Sequence, residues 1–163
     1  MNKEFGIKLP LFESKVKKLR NVQIISKKKI NFNGMKIAGY PYFLDTRWVK
    51  TFAPKDKEML ERARLDEKEA KFFFNNIGKV DILLTHQPPY GYLDKVRNPS
   101  APKSLYGKSA GSPMILKYIR KYQPKYNICG HIHEGKGEAK IGKTRVINLG
   151  EASFKILEIY KEP

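Results

Sequence analysis

Three histidines are all the imidazole this chain of 163 residues possesses. They fall in two short stretches. His86 closes Ile82-Leu83-Leu84-Thr85-His86 and is followed by Gln87-Pro88-Pro89, while His131 and His133 lie in Asn127-Ile128-Cys129-Gly130-His131-Ile132-His133-Glu134-Gly135. Neutral imidazole nitrogen is a ligand for Zn, Fe, Mn, Co or Ni. One histidine alone is more often a satisfied structural residue than a ligand. Three that share the same kind of setting point to a metal site. His86 and His131 each come just after an apolar run that reads as a buried strand, and open α/β sheets bind ligands beyond the carboxyl ends of their strands. If those two strands are neighbours, the two rings converge. His131 and His133 are two residues apart, which in extended backbone puts both on one side. Gly130 permits a close turn, and Pro88 and Pro89 stiffen the backbone behind His86. Cys129 has the same parity as the pair and could add a thiolate, although a cysteine in an apolar run more often packs.

The elements that would position these residues are legible from period and punctuation. Residues 11–21 carry a rough helical stripe and 22–26 read as a strand. Asn33-Gly34 marks a hairpin, because both residues accept positive φ. The stretch around 44–56 reads as an irregular loop. A long helix is expected over 56–77, where Met59, Leu60, Ala63, Ala70, Phe73, Phe74 and Ile77 recur at helical spacing before Gly78. Residues 79–86 and 125–131 read as buried strands. Between them, 87–111 is rich in Pro, Gly and Ser and forms a long loop of the kind that often carries function. A helix follows, with Ser112 as N-cap, Pro113 in its first turn and Pro124 beyond its end. A hairpin turns at Gly142-Lys143, and 153–160 alternates as a final strand. This pattern predicts an α/β protein with mixed sheets.

The length suits one domain, 1–163. No apolar run approaches a membrane span of roughly 20 residues, and the start lacks the apolar core of a signal peptide. With one cysteine there is no internal disulfide. A cytoplasmic protein is the expectation. The 33 basic residues against 16 acidic ones give a formal charge of +17, a surface that attracts phosphate esters or nucleic acid. A Lys-rich, solvated surface of a thermophile is the plainer account of the same numbers.

The motif Thr85-His86-Gln87-Pro88-Pro89, with Gly91 and Asp94, followed by Gly130-His131-Ile132-His133-Glu134-Gly135, resembles the calcineurin-like metallophosphoesterases. The nearest likeness is to the small subgroup with T-H-x-P-P-x-G-x-x-D and G-H-I-H-E-G, and it runs over about 22–159. The resemblance implies a four-layer α/β/β/α sandwich and a pair of divalent ions (Mn, Fe, Zn or Ni) about 3.5 Å apart. It implies hydrolysis of phosphomono- or phosphodiesters by a metal-activated hydroxide. His86 and His131 would serve one ion and His133 the other. The Asp94 region and the loop 90–112 would flank the substrate. Arg97, Lys103 and Lys108 in that loop are candidates for phosphate contact on their charge alone, with surface solvation the commoner role for each. Asn148 and Gly150 would form the closing turn, with Asn148 among the substrate-binding residues. The family's earlier motifs, D-x-H, G-D-x-x-D and G-N-H, do not occur, so the chain is expected to be the C-terminal portion of such a domain. One Zn held by His86, His131 and His133 is the self-contained alternative. A second polypeptide or a homodimer could complete the fold, or the sequence is a piece of a longer one. The strand before His86 would then have an open edge. A basic binding module for nucleic acid or an acidic partner, built on a degenerate form of the fold, is the competing function.

Overall fold

The computed structural model describes residues 14–20, 22–151 and 153–158. Six strands form one mixed sheet in the order β1-β2-β3-β4-β6-β5. The hairpin of β1 (Lys28–Phe32) and β2 (Met35–Tyr40) turns at Asn33 and Gly34, whose φ values of 48° and 78° are those expected of Asn-Gly. A short helix α1 (Thr46–Phe52) follows, then the long helix α2 (Lys57–Asn76). The Asp56 side chain accepts from the Met59 amide at 2.8 Å to start α2. Gly78, at φ 64°, takes the chain away from its end.

The next strand, β3 (Ile82–Thr85), lies parallel to β2. Helix α3 (Pro113–Tyr122) returns the chain to β4 (Tyr126–Cys129), parallel to β3. A 3₁₀ turn at His133–Gly135 leads into β5 (Gly137–Ile141), which pairs antiparallel with β6 (Thr144–Asn148). β6 also lies parallel to β4. Parallel neighbours need crossovers: α2 lies in the one between β2 and β3, α3 in the one between β3 and β4, and β5 carries the chain from β4 to β6.

Both crossover helices pack on one face. The core joins Ala38 and Tyr40 of β2, Leu83 of β3, Cys129 of β4 and Val146 of β6 to Phe73 and Phe74 of α2 and Ile115 and Ile119 of α3. Alternation sends Ile37, Leu84 and Ile128 to the opposite face, where they are half-buried, beside the buried Ile82 and Ile147.

Four expectations are corrected. The loop around 44–56 contains α1. Its seven residues are too few to show a helical stripe, although Asp45 caps it by accepting from the Arg47 amide at 2.8 Å. Residues 22–25 form no strand, and the backbone there runs so close to Gly39 that a Cβ would meet the Ile25 carbonyl at 2.1 Å. Of the strand expected over 153–160, residues 153–158 are not paired, and 159–160 lie outside the described residues. The strand before His86 has no open edge, because β3 is held on both sides by β2 and β4. Of the helix expected over 11–21, residues 14–16 are helical; 11–13 and 21 lie outside the described residues. No helix among the described residues is long and apolar enough to cross a membrane.

Candidate metal centre

Strands β3 and β4 are parallel neighbours with Leu84 opposite Ile128. Their carboxyl ends therefore lie together, and His86 and Gly130 follow side by side. The Gly130 amide donates to the His86 carbonyl at 3.0 Å, which ties the two loops. His131 then sits at the centre of a tight turn, closed by the Ile132 amide donating to the Gly130 carbonyl at 2.8 Å. Its φ is +67°. Three-residue turns commonly have negative φ at the middle residue; the positive-φ form is the rare, strained one and costs a side-chain-bearing residue about 1 kcal/mol or more.

The turn brings the rings together. His86 Nε2 lies 3.1 Å from His131 Nδ1, with ring centroids 4.8 Å apart. Two nitrogens bound to one tetrahedral Zn at about 2.05 Å stand roughly 3.3 Å apart. The spacing thus fits two ligands of one ion. It also fits a hydrogen bond in which one neutral imidazole donates and the other accepts. Tyr42 supports both rings, edge-on to His86 at 5.5 Å and tilted to His131 at 5.2 Å. Burial of His131, with the neighbouring His86 and His133 adding to it, pushes its pKa down to about 4. Its ring is neutral at pH 7, the form that binds metal.

His133 does not share that orientation. The backbone is not extended from His131 to His133, since the tight turn gives way to the 3₁₀ turn that His133 opens. Its Nδ1 lies 3.4 Å from Glu151 Oε2. Among the described residues, no three His, Cys, Asp or Glu side chains gather closely enough to enclose an ion. Cys129 faces the core, where its thiol donates to the Ile147 carbonyl at 3.5 Å and burial pushes its pKa up to about 12. It is a packed thiol, not a thiolate ligand.

The residues expected to meet substrate divide into exposed and buried groups. Asp94 is 1% exposed and accepts from the amides of Gly91 at 2.8 Å and Gly111 at 3.0 Å. It cinches the two ends of the 88–112 loop. Asn148, also 1% exposed, donates to the carbonyls of Leu93 at 3.0 Å and Ile132 at 2.9 Å and accepts from the Gly150 amide at 2.9 Å. It clamps the loop, the histidine turn and the end of β6 to one another. Arg97 is exposed, with its backbone amide bound to Glu134 Oε1 at 2.6 Å. Lys103 and Lys108 are exposed on the same loop.

Four supporting residues escape a motif-level reading. Glu134 Oε1 also accepts from the Asn98 amide at 2.8 Å, and so fastens the loop to the histidine turn. Burial acts to raise its pKa, but the amide hydrogen bonds outweigh it and hold the carboxyl below its usual range. Asn127 donates to the Leu83 carbonyl at 3.2 Å and Thr85 Oγ1 at 3.1 Å, locking β4 to the residue before His86. Gln87 donates to the Phe43 carbonyl at 2.9 Å, anchoring the segment that bears Tyr42. Glu134 and Gln87 stand inside the two motifs, and Asn127 is a polar residue in an apolar run, which were the available signals. Tyr42 had none.

No protein-family model matches the chain. The human and mouse proteins called metallophosphoesterase domain-containing protein 1 are each 30% identical to it over 134 residues, covering 80% of this chain and 35% of theirs. A UPF0046 protein of Caenorhabditis elegans is 26% identical over 144 residues, covering 87% of this chain and 46% of its own. The chain thus spans less than half the length of these relatives. A solved crystal structure superposes with a TM-score of 0.54 at 20% identity, over 90% of this chain and 53% of that one, a likeness of fold. The architecture is a partial α/β sandwich of that kind, and the chain has its place in the metallophosphoesterase family.

Proposed function

We propose that this chain is the histidine-bearing portion of a metal-dependent phosphoesterase. The observation that supports it best is the 3.1 Å spacing of His86 Nε2 and His131 Nδ1 at the ends of adjacent parallel strands. These two side chains would hold one divalent ion, Zn, Mn, Fe or Ni. His133, turned toward Glu151, would serve a second. An ion so placed supplies Lewis acidity to a phosphoryl oxygen and lowers the pKa of bound water. The chain's own part is to aim neutral imidazoles and to keep them aimed. Asn148, Glu134 and Asp94 do this by fastening the loops around them, while the exposed Arg97 is free to meet an anionic substrate.

Two imidazoles leave an ion under-coordinated and carry no negative charge to offset it. Two divalent ions a few ångströms apart repel strongly unless carboxylates lie between them. We therefore assign the remaining ligands to a polypeptide segment that covers the sheet face bearing Ile37, Leu84 and Ile128. It would come from a second chain or a further part of the same protein. Zn and Mn titration by calorimetry tests the first step. Wild type should bind one ion, and His86→Ala and His131→Ala should each lose most of that affinity. Equal binding by wild type and both variants would overturn the reading. Hydrolysis of aryl phosphate mono- and diesters then tests the chemistry.

A further inference from the structure

We infer that the cleft between α1 and the 88–112 loop binds single-stranded nucleic acid. The cleft holds about 390 Å³ and is lined by Arg47, Trp48, Tyr90, Lys95 and Lys108, among others. Two aromatic rings and three cationic side chains line it together, the combination that a single strand engages through stacked bases and contacted phosphates. The Arg47 guanidinium lies 4.9 Å from the centre of the Tyr90 ring and donates to the Gly111 carbonyl at 2.9 Å. It also pairs with Asp45 at 2.8 Å. Arg47 is thus fixed in place and its charge is offset. Its role is to hold the Tyr90 ring, which remains 41% exposed.

Lys95 and Lys108 complete the arrangement. Both are exposed, and neither ammonium pairs with a carboxylate among the described residues. They are the cleft's uncompensated charges. Three backbone features hold the strand pair that carries them: the Lys95–Ser109 bridge, the Val96 amide donating to the Lys108 carbonyl at 3.0 Å, and the Gly107 amide returning to the Val96 carbonyl at 2.8 Å. The cations therefore stand on an ordered platform. A ligand with one phosphate would meet two lysines here, whereas the whole chain carries +17. A charge of that size favours a polyanion, whose released counterions drive binding. A duplex keeps its bases stacked inside and cannot use the rings. This cleft contains none of the three histidines, so its binding does not depend on a metal centre.

The test uses the full chain in EDTA, with fluorescein-labelled dT and rU 20-mers, a 20-base-pair duplex, and thymidine monophosphate. Trp48 is the only tryptophan, so its emission reports occupancy of the cleft directly. Both single strands should bind with a steep salt dependence and quench Trp48. Lys95→Glu with Lys108→Glu should weaken binding at least tenfold and flatten the salt slope. Lys68→Glu with Lys71→Glu, the same charge change on the exposed side of α2, should weaken it far less. Tyr90→Ala should cost roughly fivefold or more, while Tyr90→Phe keeps the affinity. Equal losses from the two lysine pairs would show diffuse charge and overturn the inference. So would equal affinity for duplex, or thymidine monophosphate binding as tightly as the 20-mers.

Discussion

Asn148→Ala should destabilise the protein by about 3 kcal/mol. The side chain is 1% exposed and makes three hydrogen bonds, two to carbonyls of separate loops and one from the Gly150 amide. A buried hydrogen bond contributes a net ~1 kcal/mol, and a partner left unsatisfied costs ~1–3 kcal/mol. Leu93 is half-buried, so water can reach part of the vacated site, which favours the lower end of the sum. With an m-value near 2 kcal/mol per molar urea, the unfolding midpoint should fall by about 1.5 M. Asn148→Asp sharpens the test. It keeps the acceptor for Gly150 but points a carboxylate at two carbonyls. That raises the carboxyl's pKa in the folded state, so the folded state holds a proton that the unfolded state releases. The variant should therefore recover stability relative to wild type as pH falls toward 4. A midpoint shift under 0.3 M for Asn148→Ala, or an Asn148→Asp deficit that does not change with pH, would refute the clamp.

Gly135→Ala should separate the histidine turn from the long loop, because its Cβ would meet the Leu93 carbonyl at 2.1 Å; loss of amide-exchange protection in 88–112 with the β1–β2 hairpin intact would show this. Asp56→Ala should cost about 1 kcal/mol in urea unfolding through loss of the α2 N-cap. The Cys129 thiol, pushed up to about 12 by burial, should react with a thiol reagent at pH 8 only when urea is added. Between about 8.5, the ordinary thiol value, and 12, the folded state retains a proton that the unfolded state has lost. Wild-type stability should therefore fall with rising pH relative to Cys129→Ala, and identical pH profiles for the two would contradict this burial.

The convergence of His86 and His131 was legible in sequence because it follows from two facts that pattern alone supplies. Both histidines end apolar runs, and runs of that type become parallel strands separated by a helix. What the sequence does not reveal is the sense of each ring. His131 is turned by a three-residue bend with positive φ, and although histidine adopts positive φ more often than most residues, nothing in the pattern places it there. Extended backbone was the default, and it would have paired His131 with His133 instead. Asp94 and Asn148 have a structural part that the motif does not reveal. A motif marks them as expected substrate contacts, and the fold also buries them and makes them fasten loops, which no sequence pattern displays. The short α1 was missed because seven residues provide less than two turns of period. Residues 153–158 alternate like a strand, but alternation supplies only a suitable face, and a strand also requires a neighbour with free backbone groups. Phe154 and Ile156, 84% and 80% exposed, show the pattern without the partner.

Where the proposed complementary segment would sit bears on the proposed chemistry. A sheet lacking strands would show an open edge beside β3, yet β3 lies inside the sheet. One face of the sheet is filled by α2 and α3, and the other presents Ile37, Leu84 and Ile128 only half-buried. The proposed absent material is thus a layer stacked on that face. His86 and His131 leave the carboxyl ends of the two middle strands, at the rim between the faces. A layer laid over Leu84 and Ile128 would end beside the same rim, where its own strand ends could bring carboxylates to the two imidazoles. A single event, burial of that apolar face, would then both complete the core and neutralise the metal site. Adding the complementary segment should consequently tighten the chain's metal binding and protect that face together, and a gain in metal affinity without protection of Leu84 and Ile128 would mean that the added ligands come from elsewhere.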